Sequence, residues 1–230
     1  LTACSSPENQ VHKYEYFAFG TLISLTIAGV NAEQAKQAST TLEAEFNRMH
    51  HAWHAWQPGP LSDINHALAV GESVELNAEF SDLITRAMTI AEQSEQTFHP
   101  GMGKLLELWG FQSDDIPTTP PSQASIDTFL EHAPALSDLT ILDDGKTHLA
   151  DQGVIIQSNN PLFQFDLGGF AKGYGIDRAI QIIQSQGIQN AIVNAGGDLR
   201  AIGQRPDRPW RIGIRHPRRA GIMAYLDVLD

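Results

Sequence analysis

The stretch from Gln164 to Gly175, QFDLGGFAKGYG, constrains this chain more than any other. Four glycines, Gly168, Gly169, Gly173 and Gly175, surround one carboxylate, Asp166, and one ammonium, Lys172. An apolar approach leads in, and a helical pattern of Ile176, Ala179, Ile180 and Ile183 leads out until Gly187 ends it. Glycines at that density let a backbone approach a ligand closely. A loop that enters a helix also presents free backbone N–H groups to an anion. The stretch therefore reads as a turn into a helix that holds a phosphate or pyrophosphate.

The rest of the chain supplies alternating strands and amphipathic helices. Residues 14–29 are rich in Phe, Leu, Ile and Thr and alternate as a strand does, with a bulge or close backbone approach expected at Gly20-Thr21. Asn31 is the expected cap, with Gln34 completing a capping box, of a helix carrying Ala35, Ala38, Leu42 and Phe46. Ser62-Asp63-Ile64-Asn65 reads as a turn before a short helix. A second amphipathic helix, capped by Ser81, carries Leu83, Ile84, Ala87, Met88 and Ala91 and ends near Thr97-Phe98. Residues 112–125 read as a surface loop and 125–133 as a helix. Short strands are expected at 138–142, 147–150 and 153–157 around an Asp143-Asp144-Gly145 turn. Further strands are expected at Ala191–Asn194, Leu199–Gly203, around Arg211 and at Ile222–Val228.

Three histidines and two tryptophans stand together in His50-His51-Ala52-Trp53-His54-Ala55-Trp56, ahead of Pro58-Gly59-Pro60. The zinc-protease pattern would need a glutamate at position 51, and no cysteine or carboxylate stands at ligand spacing nearby. The tryptophans read as core or cleft-wall residues, with a stacking surface for a ring ligand as the alternative. Gly101-Met102-Gly103-Lys104 lacks the spacing of a phosphate loop. Glycine loops recur around Gly101, at Gly168-Gly169 and at Gly196-Gly197, two of them beside a carboxylate, Asp166 and Asp198. Any one alone is an ordinary tight turn; three together point toward a nucleotide-like ligand.

The residues themselves go further, because the chain resembles the ApbE family of FAD:protein FMN transferases along nearly its whole length. The resemblance rests on Phe19-Gly20-Thr21, Trp56-Gln57-Pro58 through Ser62-Asp63-Ile64-Asn65, His99-Pro100-Gly101-Met102-Gly103, and Leu108-Trp109-Gly110-Phe111. Most specific is Asp166-Leu167-Gly168-Gly169-Phe170-Ala171-Lys172-Gly173 followed by Asn194-Ala195-Gly196-Gly197-Asp198. It implies an α+β fold, a mixed arrangement of antiparallel sheet elements and packed helices over residues 14–230. It also implies transfer of FMN from FAD to a threonine or serine of an acceptor protein, with Mg2+ and release of AMP. A flavin-binding module on the same scaffold, without transfer, is the alternative. By position, Asp166 and Lys172 match residues that contact FAD, and the Gly169 carbonyl matches a magnesium ligand. Trp56 and Phe19 match positions that cover the flavin, Phe19 standing where methionine is usual. His99, Pro100 and Gly101 match a flavin-contacting loop that often begins with Asp or Asn, from which the histidine departs. No residue is assigned a catalytic role. The family pattern continues with a segment of the type A-T-S-G-D-Y that supplies further metal ligands. The stretch ending at Asp230 does not contain it, so a half-built metal site is expected here.

A net charge of −12 argues against nucleic acid as a partner, since phosphate binding wants a basic face. The lone cysteine sits in Leu1-Thr2-Ala3-Cys4-Ser5-Ser6, which resembles a bacterial lipobox followed by a polar tether. That resemblance implies lipidation of Cys4, a tether over residues 1–13, and anchoring at the periplasmic side of a cell-envelope membrane. No apolar run reaches the roughly 18–20 residues needed to span a bilayer.

Overall fold

The computed structural model describes residues 10–113, 115, 118–142 and 154–228. In chain order the first elements are β1 (Val11–Ala18), β2 (Thr21–Ala28), α1 (Ala32–Ala52), α2 (Pro60–Ala69), β3 (Val74–Glu75), α3 (Ala78–Gln93), α4 (Gly103–Leu108) and α5 (Gln123–Leu130). Then follow β4 (Leu139–Leu142), β5 (Ile155–Ser158), α6 (Ala171–Ser185), β6 (Asn190–Ala195), β7 (Asp198–Ile202), β8 (Trp210–Arg215) and β9 (Ile222–Val228). This is the expected α+β class, and every pairing between these strands is antiparallel. Two compact units form: residues 1–50 with 172–230, and residues 51–171.

The first unit is built on a sheet in the order β1-β2-β6-β7. Ile23, Leu25 and Ile27 on β2 and Ala191, Val193 and Ala195 on β6 are buried, while the residues between them are at least partly exposed; the alternation breaks only at Ala28, which is also buried. That period of two is what one covered face demands. In α1, Ala35, Ala38, Leu42, Phe46 and Met49 repeat at helical spacing and are all buried. The helix lies beside β1, where Tyr16 donates its hydroxyl to Ser39 Oγ at 2.7 Å. Burial pushes that phenol up to about 12. Asn31 caps α1 by accepting the Gln34 N–H, but Gln34 donates its amide to the Gln186 carbonyl, so no capping box closes. In the β8-β9 ribbon, Arg211 stands opposite Asp227 and bonds both carboxylate oxygens, at 2.8 and 2.9 Å.

The expected bulge at Gly20-Thr21 is instead the turn of the β1-β2 hairpin, with Ala18 paired to Thr21. Phe19 and Gly20 both take positive φ, 53° and 68°, because the twist of a two-residue hairpin requires it. For a phenylalanine that conformation costs roughly 1–2 kcal/mol. Its N–H donates to His50 Nδ1 at 3.3 Å, and its ring meets Phe46 edge-on at 6.2 Å.

The second unit packs α2, α3, α4 and α5 with a small sheet in the order β3-β5-β4. Three expected boundaries move, each for a local reason. Ser62–Asn65 is helix, not turn, because Pro60 supplies a preset first turn. α3 is capped by Asn77, which accepts the Phe80 N–H at 2.9 Å, rather than by Ser81. It stops at Gln93, and Glu95 and Gln96 leave it at positive φ. α5 begins two residues early because Ser122 accepts the Ser125 N–H. The expected strand 147–150 and the turn at Asp143 lie outside the described residues.

Candidate functional site

In the second unit the structure joins two of the glycine-bearing segments. Phe163 and Phe165 are fully buried, and their neighbours Gln164 and Asp166 are partly exposed, so residues 163–166 run as a short extended stretch. It pairs with the loop ahead of α4 through a parallel bridge between Met102 and Gln164. Gly103 donates its N–H to the Gln164 carbonyl at 2.8 Å, Gln164 to the Gly101 carbonyl at 3.2 Å, and Asp166 to the Pro100 carbonyl at 2.9 Å. The pairing is close enough to exclude side chains at two positions. A Cβ at Gly101 would stand 2.6 Å from the Phe163 ring, and one at Gly103 would stand 2.7 Å from the Gln164 carbonyl oxygen.

Two side chains hold this pairing from either end. Asn65, buried on α2, accepts the Phe165 N–H at 2.7 Å and donates to the Phe165 carbonyl at 2.9 Å. Gln112 donates to the Gly103 carbonyl at 3.1 Å and, more weakly, to Asp166 Oδ2 at 3.4 Å. The other Asp166 oxygen accepts the Gly168 N–H at 2.9 Å. Asn65 and Gln112 carried no role in the sequence reading. The signal was a polar residue on the buried side of α2, which becomes visible only once Pro60 is seen to start a helix.

The loop after Asp166 is less open than a row of free N–H donors. The Leu167 carbonyl accepts the N–H groups of both Phe170 and Ala171, and Gly168 is taken by Asp166. A cation or phosphate here would meet what remains of an already folded turn. Gly169 is exposed.

Beside the pairing lies a cavity of about 370 Å³, lined in part by Trp56, Asn65, His66, Lys104, Gln112 and Gln164. Its size suits a small ligand, and it combines one aromatic plane with several polar groups. Trp56 is partly exposed, with the His54 ring edge-on to it at 4.6 Å; Trp53 is buried and donates to Glu79 at 2.9 Å. The two tryptophans thus divide into one wall residue and one core residue. A second cavity of about 610 Å³, at His132, Asp138 and Asn160, is lined by no Phe, Tyr or Trp. Its one carboxylate is held by the Ala135 N–H and the Asn160 amide.

His99 enters the pairing at Pro100. Its Nδ1 accepts the Gly101 N–H at 3.1 Å, so the neutral ring carries its proton on Nε2, which is buried and finds no partner. Burial holds this imidazole below its ordinary pKa. Gln164 Oε1 is likewise buried and unpartnered. Among the described residues these two alone are such orphans; Gln164 lies on a paired segment and His99 immediately precedes the other. An orphaned buried polar atom costs about 1–3 kcal/mol, the kind of deficit that marks working sites.

The remaining expected positions fall in the first unit or outside the described residues. Phe19 occupies the hairpin turn. Lys172 is the second residue of α6 rather than part of a loop. The Gly196-Gly197 turn joins β6 to β7, with Asn194 accepting the Gly197 N–H. Cys4 lies outside the described residues. A magnesium ion takes near-octahedral oxygen ligands. Among the described residues no group of three or more His, Cys, Asp or Glu stands together, and Gly169 offers one carbonyl. The described residues do not by themselves make a magnesium site.

With this geometry in hand, the chain can be set against known proteins. A sequence model described as the ApbE family matches residues 19–230. A protein of Rhodobacter capsulatus named FAD:protein FMN transferase is 38% identical over 213 residues, covering 93% of this chain and 39% of that protein. One of the same name from Salmonella typhimurium is 25% identical, covering 99% of this chain and 63% of its own length. The chain therefore spans less than two thirds of these curated relatives. The crystal structure of an ApbE protein from Thermotoga maritima is similar with a TM-score of 0.80 at 31% identity, covering 95% of this chain and 68% of the other.

Proposed function

The chain belongs to the ApbE family, and on that premise we propose that it takes part in transfer of FMN from FAD to a threonine or serine hydroxyl of an acceptor protein. The observation that carries the proposal is the paired segment 100–103 with 164–166. It sets Gln164 in the lining of a cavity walled by Trp56, with Asp166 bonded to the lining residue Gln112, in a chain 38% identical to a protein named for this reaction.

The chemistry is phosphoryl transfer. The acceptor hydroxyl oxygen forms a bond to the FMN-side phosphorus of FAD. The bond from that phosphorus to the bridging oxygen breaks, the hydroxyl proton is released, and AMP leaves with the electron pair. Such transfer depends mainly on positioning and charge neutralisation. Trp56 offers a plane for the flavin ring. Asp166, whose carboxylate would repel a phosphate, is suited to accept hydrogen bonds from the ligand. Lys172 supplies a cation for the pyrophosphate. The His99–Gly101 loop would add flavin contacts, and the family resemblance assigns a flavin-covering role to Phe19. Magnesium, when bound, supplies charge neutralisation at the pyrophosphate. The Gly169 carbonyl would be one ligand, and among the described residues no cluster of three or more His, Cys, Asp or Glu stands ready to supply the others.

The test is incubation with FAD, Mg2+ and a protein carrying an acceptor threonine, read by mass spectrometry. A gain of one FMN on the acceptor supports transfer. Binding of FAD with no adduct reduces the proposal to a flavin-binding module, and absence of FAD binding overturns it. We further propose lipid attachment at Cys4 and a cell-envelope location on the periplasmic side. Labelled palmitate incorporated by the wild type and lost in Cys4→Ser would support this, and equal labelling of both would overturn it.

A further inference from the structure

We propose that Asn65 is a positioning residue that fixes the segment bearing Asp166 relative to the turn bearing Trp56, beside the cavity that Trp56 helps to line; the proposal rests on the flavin reading above. Asn65 is 4% exposed, in a helix whose other buried residues are Leu61, Ile64 and Leu68. A leucine there would avoid the cost of burying an amide. The amide is kept, and its bonds go to two places. Oδ1 accepts the Phe165 N–H at 2.7 Å, and Nδ2 donates to the Phe165 carbonyl at 2.9 Å. The carboxamide thus bonds residue 165 as a neighbouring strand would. Nδ2 also donates to the Ala55 carbonyl at 3.3 Å.

Ala55 precedes Trp56, and Phe165 precedes Asp166. One buried side chain therefore bonds the backbone next to each of the two groups assigned to the ligand. On its other flank residue 165 is held between the Gly101 and Pro100 carbonyls, which accept from Gln164 and Asp166. The Phe165 ring is fully buried and cannot slide. The remaining freedom is in how the turn bearing Trp56 approaches this segment, and Asn65 is the link that fixes it. Hydrogen bonds on both sides of a buried amide select one arrangement where packing alone would admit several.

The test uses Asn65→Asp, which keeps the volume and Oδ1 but removes both donated bonds, and Asn65→Leu, which removes all three. FAD affinity is measured by flavin fluorescence, alongside the melting temperature. The expected result is a loss of affinity of about 10-fold or more in protein still folded at the assay temperature, with incomplete quenching of the flavin at saturation. A purely structural role would lower the melting temperature and leave the quenching of bound flavin unchanged. The decisive readout is a cycle with Trp56→Ala combined with Asp166→Ala. In that background Asn65→Asp should cost less than about twofold, because the groups it positions are gone. The same loss in both backgrounds overturns the proposal. If neither variant folds, amide hydrogen exchange in the wild type decides. Saturating FAD should slow the Phe165 and Trp56 amides together, and no coupled change overturns the inference. Failure of the wild type to bind FAD removes the flavin reading and this inference with it; FAD binding with additive losses removes this inference alone.

Discussion

Gly103→Ala tests the central pairing directly. An added Cβ would stand 2.7 Å from the Gln164 carbonyl oxygen and 2.9 Å from its Cγ, where ordinary contact begins at 3.4 Å. The side chain can turn aside, but the carbonyl oxygen belongs to the backbone. It is also the acceptor of the Gly103 N–H at 2.8 Å, so relief of the clash stretches that bond. Overpacking of this kind costs about 1–3 kcal/mol, and loss of the hydrogen bond adds about 1. Alanine returns up to ~1 kcal/mol through its preference for helix, since Gly103 begins α4. The net expectation is a loss of about 1–3 kcal/mol, read as a lower urea midpoint with unchanged slope. The Asp166 N–H to Pro100 bond belongs to the same pairing, so FAD affinity should fall by about tenfold. A variant as stable as the wild type would refute the reasoning about the pairing. A destabilised variant with full FAD affinity would refute the link from the pairing to Asp166.

Asp166→Ala should lose FAD affinity while staying folded, and Asp166→Asn, which keeps an oxygen for the Gly168 N–H, should retain the loop better; titration of both with FAD distinguishes ligand contact from loop support. Because burial depresses the pKa of His99 below 6.5, the unfolded chain takes up that proton first as pH falls. The stability His99 contributes is thus complete above about pH 6.5 and is lost as pH falls through the folded value. Melting temperature should consequently drop more steeply on acidification in the wild type than in His99→Asn, and parallel profiles would contradict it. Phe19→Asn should relieve up to ~1 kcal/mol of turn strain, since Asn-Gly suits a two-residue hairpin. It should also weaken FAD binding; raised stability with unchanged affinity would show that the strained phenylalanine serves no ligand.

Much of the secondary structure was legible because it follows from local chemistry. The apolar period of α1 and the alternation in β2 and β6 appear where expected, since one covered face imposes them. Boundaries were less legible, because they depend on which of several competent groups forms the cap. Asn77 and Ser81 are both good caps, and only the packed chain selects Asn77. At Gly20 the sequence pointed to a bulge or a close backbone approach, and pairing of Ala18 with Thr21 made it a hairpin turn instead.

By itself the sequence determined the family resemblance and the identity of the groups that chemistry could use, Asp166, Lys172, Trp56 and the glycines among them. Those are properties of residue type and spacing along the chain. Tertiary structure alone decided that residues 100–103 bond to 164–166, and that Asn65 binds backbone one hundred residues away in sequence. It also left His99 Nε2 and Gln164 Oε1 buried without partners. The physical reason is that hydrogen bonding and desolvation depend on which distant groups are brought within about 3 Å, a distance that no local pattern encodes.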